Sequence, residues 1–169
     1  MTTTQASAIE GIDGITYSTD RWDDARRFFG DWGLKSVSDD AACQVWETLN
    51  GAQVQVRRPD DASLPPPMEA GATMRAVVWG VTDAKALEPI TQALQTVPGF
   101  EDRRAQDGTL IALDPHGLRL VFQVSRKRAI DVVGVPTNPW GDVRRIDTPA
   151  PVYDHAEPVE IGHVVFFTD

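Results

Sequence analysis

Hydrophobic and polar positions follow a pattern along this chain that occurs twice and begins a third time. Three mostly apolar runs, rich in β-branched or aromatic residues, each end in the dipeptide Thr-Asp; they are Ile12–Asp20, Met74–Asp83 and Ile161–Asp169. Runs of this kind predict β-strands, and a Thr-Asp pair at the end of a strand is typical of a helix N-cap. The pattern therefore predicts three strand-to-helix openings, and the sequence stops at the third.

An amphipathic helix is predicted after each of the first two runs. Apolar residues recur at helical spacing in residues 21–33 and 84–99, and we interpret the aromatic residues of the first stripe (Trp22, Phe28, Phe29 and Trp32) as core. Because proline is tolerated in a first turn, the second helix is expected to begin near Pro89. Three short strands then fit into each copy: Leu34–Ser38, Ala42–Leu49 and Ala52–Arg58, and later Phe100–Ala105, Thr109–Leu113 and Leu118–Val124.

Two βαβββ units result, and they divide the chain into parts. The units cover residues 12–59 and 74–125, and the Pro-rich stretch Asp60–Gly71 joins them as an extended connector. Residues 1–11 are expected to be a flexible N-terminus, and the Pro-containing residues 126–160 a linker. Residues 161–169 are expected to be the first strand of a second, truncated domain.

Composition and charge exclude several classes of protein. The chain has 169 residues and a net charge of −9, which argues against a nucleic-acid partner. It contains no apolar stretch of about 18 residues, so no membrane partner is expected. No basic segment followed by an apolar run opens the sequence, and the single cysteine, Cys43, excludes an internal disulfide framework. A cytoplasmic protein is the resulting expectation.

The two modules, together with the segment Asp114–Phe122 of the form DP-x-G-x-x-x-x-F, resemble the vicinal oxygen chelate superfamily. That superfamily includes glyoxalase I, bleomycin-resistance proteins and type I extradiol dioxygenases. The resemblance covers Ile12 to Val124 and resumes at Glu160. It implies an α+β fold in which paired βαβββ modules form a curved mixed sheet.

The resemblance also implies where metal ligands would stand. Catalytic domains of the superfamily carry a histidine six residues before the capping Asp, and a carboxylate four residues after the Gly of the closing motif. Those places hold Gly14, Val77 and Val121 in the two modules, and none of these side chains can bind a metal. The third run holds His163 there. The resemblance thus implies a metal-free domain over residues 12–125, with His163 as a metal ligand.

More than one function remains open. The resemblance implies a non-haem iron(II)-dependent extradiol dioxygenase that cleaves a catecholic aromatic compound with dioxygen, and this chain would be its amino-terminal half, without activity alone. The second histidine and the glutamate that complete the iron site would then follow Asp169. One alternative is a metal-free small-molecule-binding protein of the bleomycin-resistance type, with an apolar ligand on the concave sheet. Another is a glyoxalase-like lyase or isomerase, which fits the ligand positions poorly.

The three histidines have plainer interpretations from the residues alone. A histidine such as His163 on an apolar strand is more often a core or edge residue than a ligand. His116 lies in a predicted turn and His155 in the linker, so both are poor ligand candidates.

The last apolar run has a consequence for assembly. Residues 161–168 are β-branched, apolar or aromatic and carry no charge apart from any on His163. An exposed strand of this kind is a template for pairing with another chain. We therefore expect it to add to a sheet, either that of the missing half or that of a second copy in a homo-oligomer.

Overall fold

Two βαβββ modules follow one another along the chain, as the sequence predicts. The computed structural model describes residues 8–131, 152 and 154–165. In the first module these residues form β1 (Ile9–Ser18), α1 (Trp22–Asp31), β2 (Lys35–Asp39), β3 (Cys43–Glu47) and β4 (Gln53–Arg57). The second module contains β5 (Thr73–Val81), α2 (Leu87–Leu94), β6 (Glu101–Arg103), β7 (Thr109–Leu113) and β8 (Arg119–Val124).

All eight strands belong to one mixed sheet in the order β2-β3-β4-β1-β5-β8-β7-β6. The first strands of the two modules, β1 and β5, pair antiparallel at its centre. Each of them also pairs in parallel with the last strand of its own module, β1 with β4 and β5 with β8. Each module therefore supplies half of a continuous sheet, and the predicted α+β class with a curved mixed sheet is confirmed.

The two helices begin differently, although each follows a Thr-Asp pair. The side chain of Asp83 accepts a hydrogen bond of 2.9 Å from the backbone N–H of Ala86, which caps a short 3₁₀ turn before α2. No side chain caps α1; the Thr19 hydroxyl instead accepts a bond of 3.1 Å from the N–H of Arg21. The predicted cap is thus confirmed in the second module and wrong in the first. Neither described helix has the length and hydropathy needed to cross a membrane.

Both helices pack on the same side of the sheet, which we name the helix face. Strand residues that share this side are mostly apolar, although Gln44, whose Nε2 donates to the carbonyl of Trp22, is also buried there. Two clusters of buried side chains hold the helices on this side. The cluster under α1 contains Ile12, Ile15, Trp22, Phe29, Leu34, Trp46, Val54, Val56, Met74, Val77 and Leu118. The cluster under α2 contains Val81, Leu87, Leu110 and Phe122. Because burial of each large aliphatic or aromatic side chain stabilises the fold by roughly 1.5–3 kcal/mol, these clusters fix both helices.

The sheet reaches further towards the N-terminus than the sequence predicts. Strand β1 begins at Ile9, which pairs with Val81, and the carbonyl of Ala8 accepts a hydrogen bond of 3.1 Å from the N–H of Thr82. The expectation of a flexible segment up to residue 11 is therefore wrong for residues 9–11. Residues 1–7 lie outside the described residues.

The two described ends of the linker both lie against the turn between β3 and β4. At one end, the N–H of Arg128 donates to the carbonyl of Asn50 at 2.9 Å. At the other end, the N–H groups of Leu49 and Asn50 donate to the carbonyls of Pro158 and Val159, each at 3.0 Å. Residues 132–151 and 153 of the linker lie outside the described residues. The linker is therefore bound to the first module at both of its described ends.

Residues 161–165 belong to no strand in the described part of the chain. Ile161 and Val164 instead pack against the cluster under α1. Residues 166–169 of the predicted strand lie outside the described residues. Pairing of this segment with the sheet of another domain or copy stays a prediction.

Candidate functional site

The register of the four central strands shows which residues share the face of the sheet opposite the helices, which we name the helix-free face. Gly14 of β1 lies between Gln53 of β4 and Val78 of β5, and Val78 pairs in turn with Val121 of β8. Paired residues on neighbouring strands face the same side. These four positions therefore form one row across the sheet, and we name them the central row.

Two of the three ligand positions tested in the sequence lie in the central row, and the third does not. Val77 pairs with Ile15 and Leu120 on the helix face and is only 1% exposed. In the β1–β5 ladder, Gly14 pairs with Val78, and Val77 pairs with Ile15. Because successive residues of a strand point to opposite sides of the sheet, Val77 faces away from the side on which Gly14 and Val78 lie.

The assignment of Val77 as the ligand position of the second module is therefore wrong. Its counterpart is Val78, which also lacks a ligand atom, so correcting the position still provides no metal ligand in that module.

Asp13 is the buried carboxylate of the helix-free face, and sequence reasoning missed it. One carboxylate oxygen accepts a hydrogen bond of 3.0 Å from the Ser125 hydroxyl. The other accepts bonds from Gln123 Nε2 at 3.2 Å and from the backbone N–H of Arg126 at 2.9 Å. The side chain lies against Gly80, where a Cβ atom would collide with it. Asp13 therefore connects β1 with β8 and with the start of the linker through hydrogen bonds. The sequence signal that could have identified this residue is the presence of an acidic side chain within an apolar run.

A second carboxylate borders the same face. Glu47 forms an ion pair of 2.7 Å with Arg128, and this guanidinium, through its hydrogen bond, lowers the pKa of Glu47 below its ordinary value. Asp13 and Glu47 border a polar pocket of about 180 Å³ together with Gln53 and Gln55. Both carboxylates are thus already engaged with donors of the chain itself.

The residues present do not fit an iron(II) site. A facial triad needs two histidines and one carboxylate with free coordination positions. Nowhere in residues 8–131, 152 and 154–165 do three His, Cys, Asp or Glu side chains come together in a way that could hold a metal. We therefore derive no chemical step through iron from these residues.

The three histidines are placed apart from any such set. His163 is exposed and borders a cavity on the side of α1. His116 is exposed in the turn between β7 and β8, as expected, where its backbone N–H donates to Asp114 at 2.8 Å. His155 is exposed beside Gly33 at the end of α1.

The cavity beside His163 is much larger than the polar pocket, with a volume of about 1210 Å³. It lies between the helix face, α1 and the segment 158–165, and its lining includes Ile15, Tyr17, Ala25, Phe28, Phe29, Trp32, Val54, Val56, Ile161 and Val164. Burial raises the pKa of the Tyr17 hydroxyl. Phe28 and Trp32 are 60% and 52% exposed, so the interpretation of all four aromatics of α1 as core is wrong for these two.

Comparisons with known proteins agree on the architecture. No family model and no curated protein matches the sequence. Among solved structures, a Mn(II)-bound glyoxalase from Novosphingobium aromaticivorans is similar over 73% of this chain and 43% of its own, with a TM-score of 0.54 and 18% identity. Methylmalonyl-CoA epimerase from Mycobacterium tuberculosis is similar over 72% and 91%, with a TM-score of 0.50 and 18% identity.

A mutant of homoprotocatechuate 2,3-dioxygenase from Brevibacterium fuscum is similar over 75% of this chain and 36% of its own, with a TM-score of 0.52 and 14% identity. This chain thus spans less than half the length of the glyoxalase and the dioxygenase. Identities this low describe the fold and not the chemistry. The chain has the fold of the vicinal oxygen chelate superfamily, with two βαβββ modules joined in one sheet.

Proposed function

We propose that this chain is the amino-terminal half of a non-haem iron(II) extradiol dioxygenase that cleaves a catecholic aromatic compound, and that its two modules form a metal-free scaffold domain. In this proposal the iron is held mainly by residues outside those described, and His163 is one of its ligands. The likeness to a dioxygenase of which this chain spans 36% supports the proposal. No set of metal ligands lies among the described residues of the helix-free face, which agrees with a scaffold role for the two modules.

The observation that carries the proposal is the way in which the first module holds His163. Backbone hydrogen bonds from the β3–β4 turn anchor Pro158 and Val159, and Ile161 and Val164 pack on the core. His163 lies between those two contacts and is exposed. Its backbone position is therefore fixed by the domain, whereas its imidazole remains accessible to an iron ion whose other ligands come from another part of the protein. Fixing a ligand before the metal arrives lowers the entropy lost on binding.

The other two functions have less support from the geometry. A glyoxalase-like lyase or isomerase would place its ligands on the two modules, but the central row offers only the amide of Gln53 beside glycine and valines. A ligand on the helix-free face would have to fit a pocket of about 180 Å³. Sites for drug-sized molecules occupy roughly 300–1,000 Å³.

The test uses the protein encoded by the complete reading frame, loaded with iron(II) without oxygen and then assayed for catechol ring cleavage. We expect about one iron per chain, as one facial triad requires. His163→Ala is expected to lose iron and activity, whereas His116→Ala, which removes another exposed histidine, is expected to keep both. Retention of iron and activity by His163→Ala contradicts the proposal. So does a reading frame that ends at Asp169 and yields a protein without iron.

A further inference from the structure

We propose that the cavity between α1 and segment 158–165 binds an uncharged aromatic molecule. The site lies on the helix face, and so it is separate from the helix-free face; it shares only His163 with the iron site proposed above. Its volume of about 1210 Å³ is ample for a ligand of two or three fused or linked rings, since pockets of roughly 300–1,000 Å³ hold drug-sized molecules.

The walls of the cavity favour an aromatic occupant. The rings of Phe28 and Phe29 lie 5.1 Å apart at an interplanar angle of 79°, and those of Phe28 and Trp32 lie 5.8 Å apart. Aromatic rings in contact prefer such edge-to-face and tilted arrangements, and a further ring can extend the set. Phe28 and Trp32 are the most exposed of these side chains, and an exposed apolar patch is typical of a binding surface.

The roof of the cavity indicates a small molecule and not a protein segment. Residues 158–165 cover the space, and they are held by backbone hydrogen bonds at Pro158 and Val159 and by the packing of Ile161 and Val164. A docking helix or strand would have to displace this anchored segment. A small molecule can enter beneath it and contact the floor formed by Ile15 and Val54.

The charges at the rim disfavour an anionic ligand. Asp24 accepts from Arg21 at 2.6 Å and from Arg27 at 2.8 Å, so both guanidinium groups that line the cavity already have a carboxylate partner. Asp31 and Glu160 add negative charge to the lining. The Tyr17 hydroxyl and the His163 imidazole are polar groups of the lining without a net negative charge, and either can hydrogen-bond a hydroxyl or carbonyl group of a neutral ligand.

The experiment titrates the full 169-residue chain with N-phenyl-1-naphthylamine, a neutral aromatic probe whose emission rises in apolar surroundings. Gly162 lines the cavity, and a Cβ atom at this position meets nothing within 4 Å. Gly162→Trp is therefore expected to fold and to fill part of the cavity. Val152→Trp adds the same side chain at a position that is 97% exposed and does not line the cavity, so it is the matched control.

We expect saturable binding of one probe per chain. Gly162→Trp should weaken it about tenfold, because the indole ring would compete with the probe for space in the cavity. Phe28→Ala should weaken it about three- to tenfold through the loss of a ring contact. Val152→Trp should leave it unchanged.

Four outcomes overturn the proposal. The first three are no saturable binding, equal binding by all four proteins, and tighter binding of the anionic analogue 1-anilinonaphthalene-8-sulfonate. The fourth is a dimer, detected by light scattering, that forms only without the probe and prevents the probe from binding. Such a result would mean that a second copy of the chain occupies the cavity. The titration needs no iron, so its failure leaves the dioxygenase proposal standing.

Discussion

Replacing Asp13 tests whether one buried carboxylate joins the two modules and the linker. The side chain is 6% exposed and accepts three hydrogen bonds, from Gln123, Ser125 and the backbone of Arg126. A hydrogen bond to a charged group contributes about 1.5–3 kcal/mol, but water can solvate some of the donors that lose their acceptor. We therefore expect Asp13→Ala to lower the free energy of unfolding by roughly 2–4 kcal/mol.

Asp13→Asn is the matched variant. Its amide oxygen can accept from Gln123 and the backbone of Arg126, while its NH₂ group donates to the Ser125 hydroxyl, which can act as donor or acceptor. We expect a loss of about 1 kcal/mol, which reflects the weaker acceptor. Urea unfolding of the full chain, followed by tryptophan fluorescence and by circular dichroism, measures both values, and coincident transitions support a two-state analysis.

Gly80→Ala provides a second test in the same assay. A Cβ at position 80 collides with Asp13, so the single substitution is expected to be costly. In the background of Asp13→Ala part of this cost should disappear, giving a coupling energy of about 1 kcal/mol or more. The reasoning is refuted if Asp13→Ala costs under about 1 kcal/mol, if Asn costs as much as Ala, or if the two sites are additive.

Other predictions concern metal, acid and assembly. The 169-residue chain should retain far less than one metal ion per chain after incubation with iron(II), manganese(II) or zinc(II) and desalting, because a stable site needs three or more ligands. Elemental analysis that shows one equivalent of metal would contradict this prediction. Hydrogen bonds from Ser63, together with Arg57, lower the pKa of Asp61 to about 2. The depressed pKa gives stability that is complete above about pH 5 and is lost as the pH falls towards 2. The stability of Asp61→Asn should therefore decline less than that of the unchanged protein over that interval. An equal decline in both proteins argues against the contacts of Asp61 with Ser63 and Arg57. If residues 161–169 add to the sheet of a second copy, Val165→Lys should reduce association in a light-scattering dilution series; unchanged association points to another interface.

Local patterns predicted most of the fold. Strand β7 has the predicted bounds, Thr109–Leu113, and the other strands differ from prediction by a few residues at their ends. Helix α2 begins at Leu87, two residues before Pro89, so the proline lies in the first turn as expected. These features depend on residues close together in the sequence, where spacing and turn chemistry decide the outcome.

Features that depend on long-range pairing were not predictable in the same way. The register that places Val78, and not Val77, beside Gly14 arises from the pairing of β1 with β5, about sixty residues later in the chain. The bond between Asp13 and Arg126 joins residues 113 positions apart. Neither can be read from the sequence near the residue concerned.

The large cavity is an intermediate case. Phe28 and Phe29 are adjacent, and successive helical residues point about 100° apart, so both could not face the sheet equally. The sequence therefore indicates that one aromatic ring of α1 lies at the margin of the core. The roof of the cavity comes from residues 158–165, more than a hundred positions later, and no local pattern predicts that arrangement.

The central row specifies where a metal could be introduced into this sheet by design. Neighbouring strands lie about 4.8 Å apart, so residues 78 and 121, on the adjacent strands β5 and β8, are close enough for their side chains to converge on one ion, whereas residue 53 lies across β1 from them. Gly14 should be left unchanged, because a Cβ there would lie 3.0 Å from the backbone oxygen of Gln53. Histidine or carboxylate at 53, 78 and 121 would extend over the helix-free face. The same residue placed at Val77, the position that the internal repeat suggests, would enter the core under α1 and destabilise the domain.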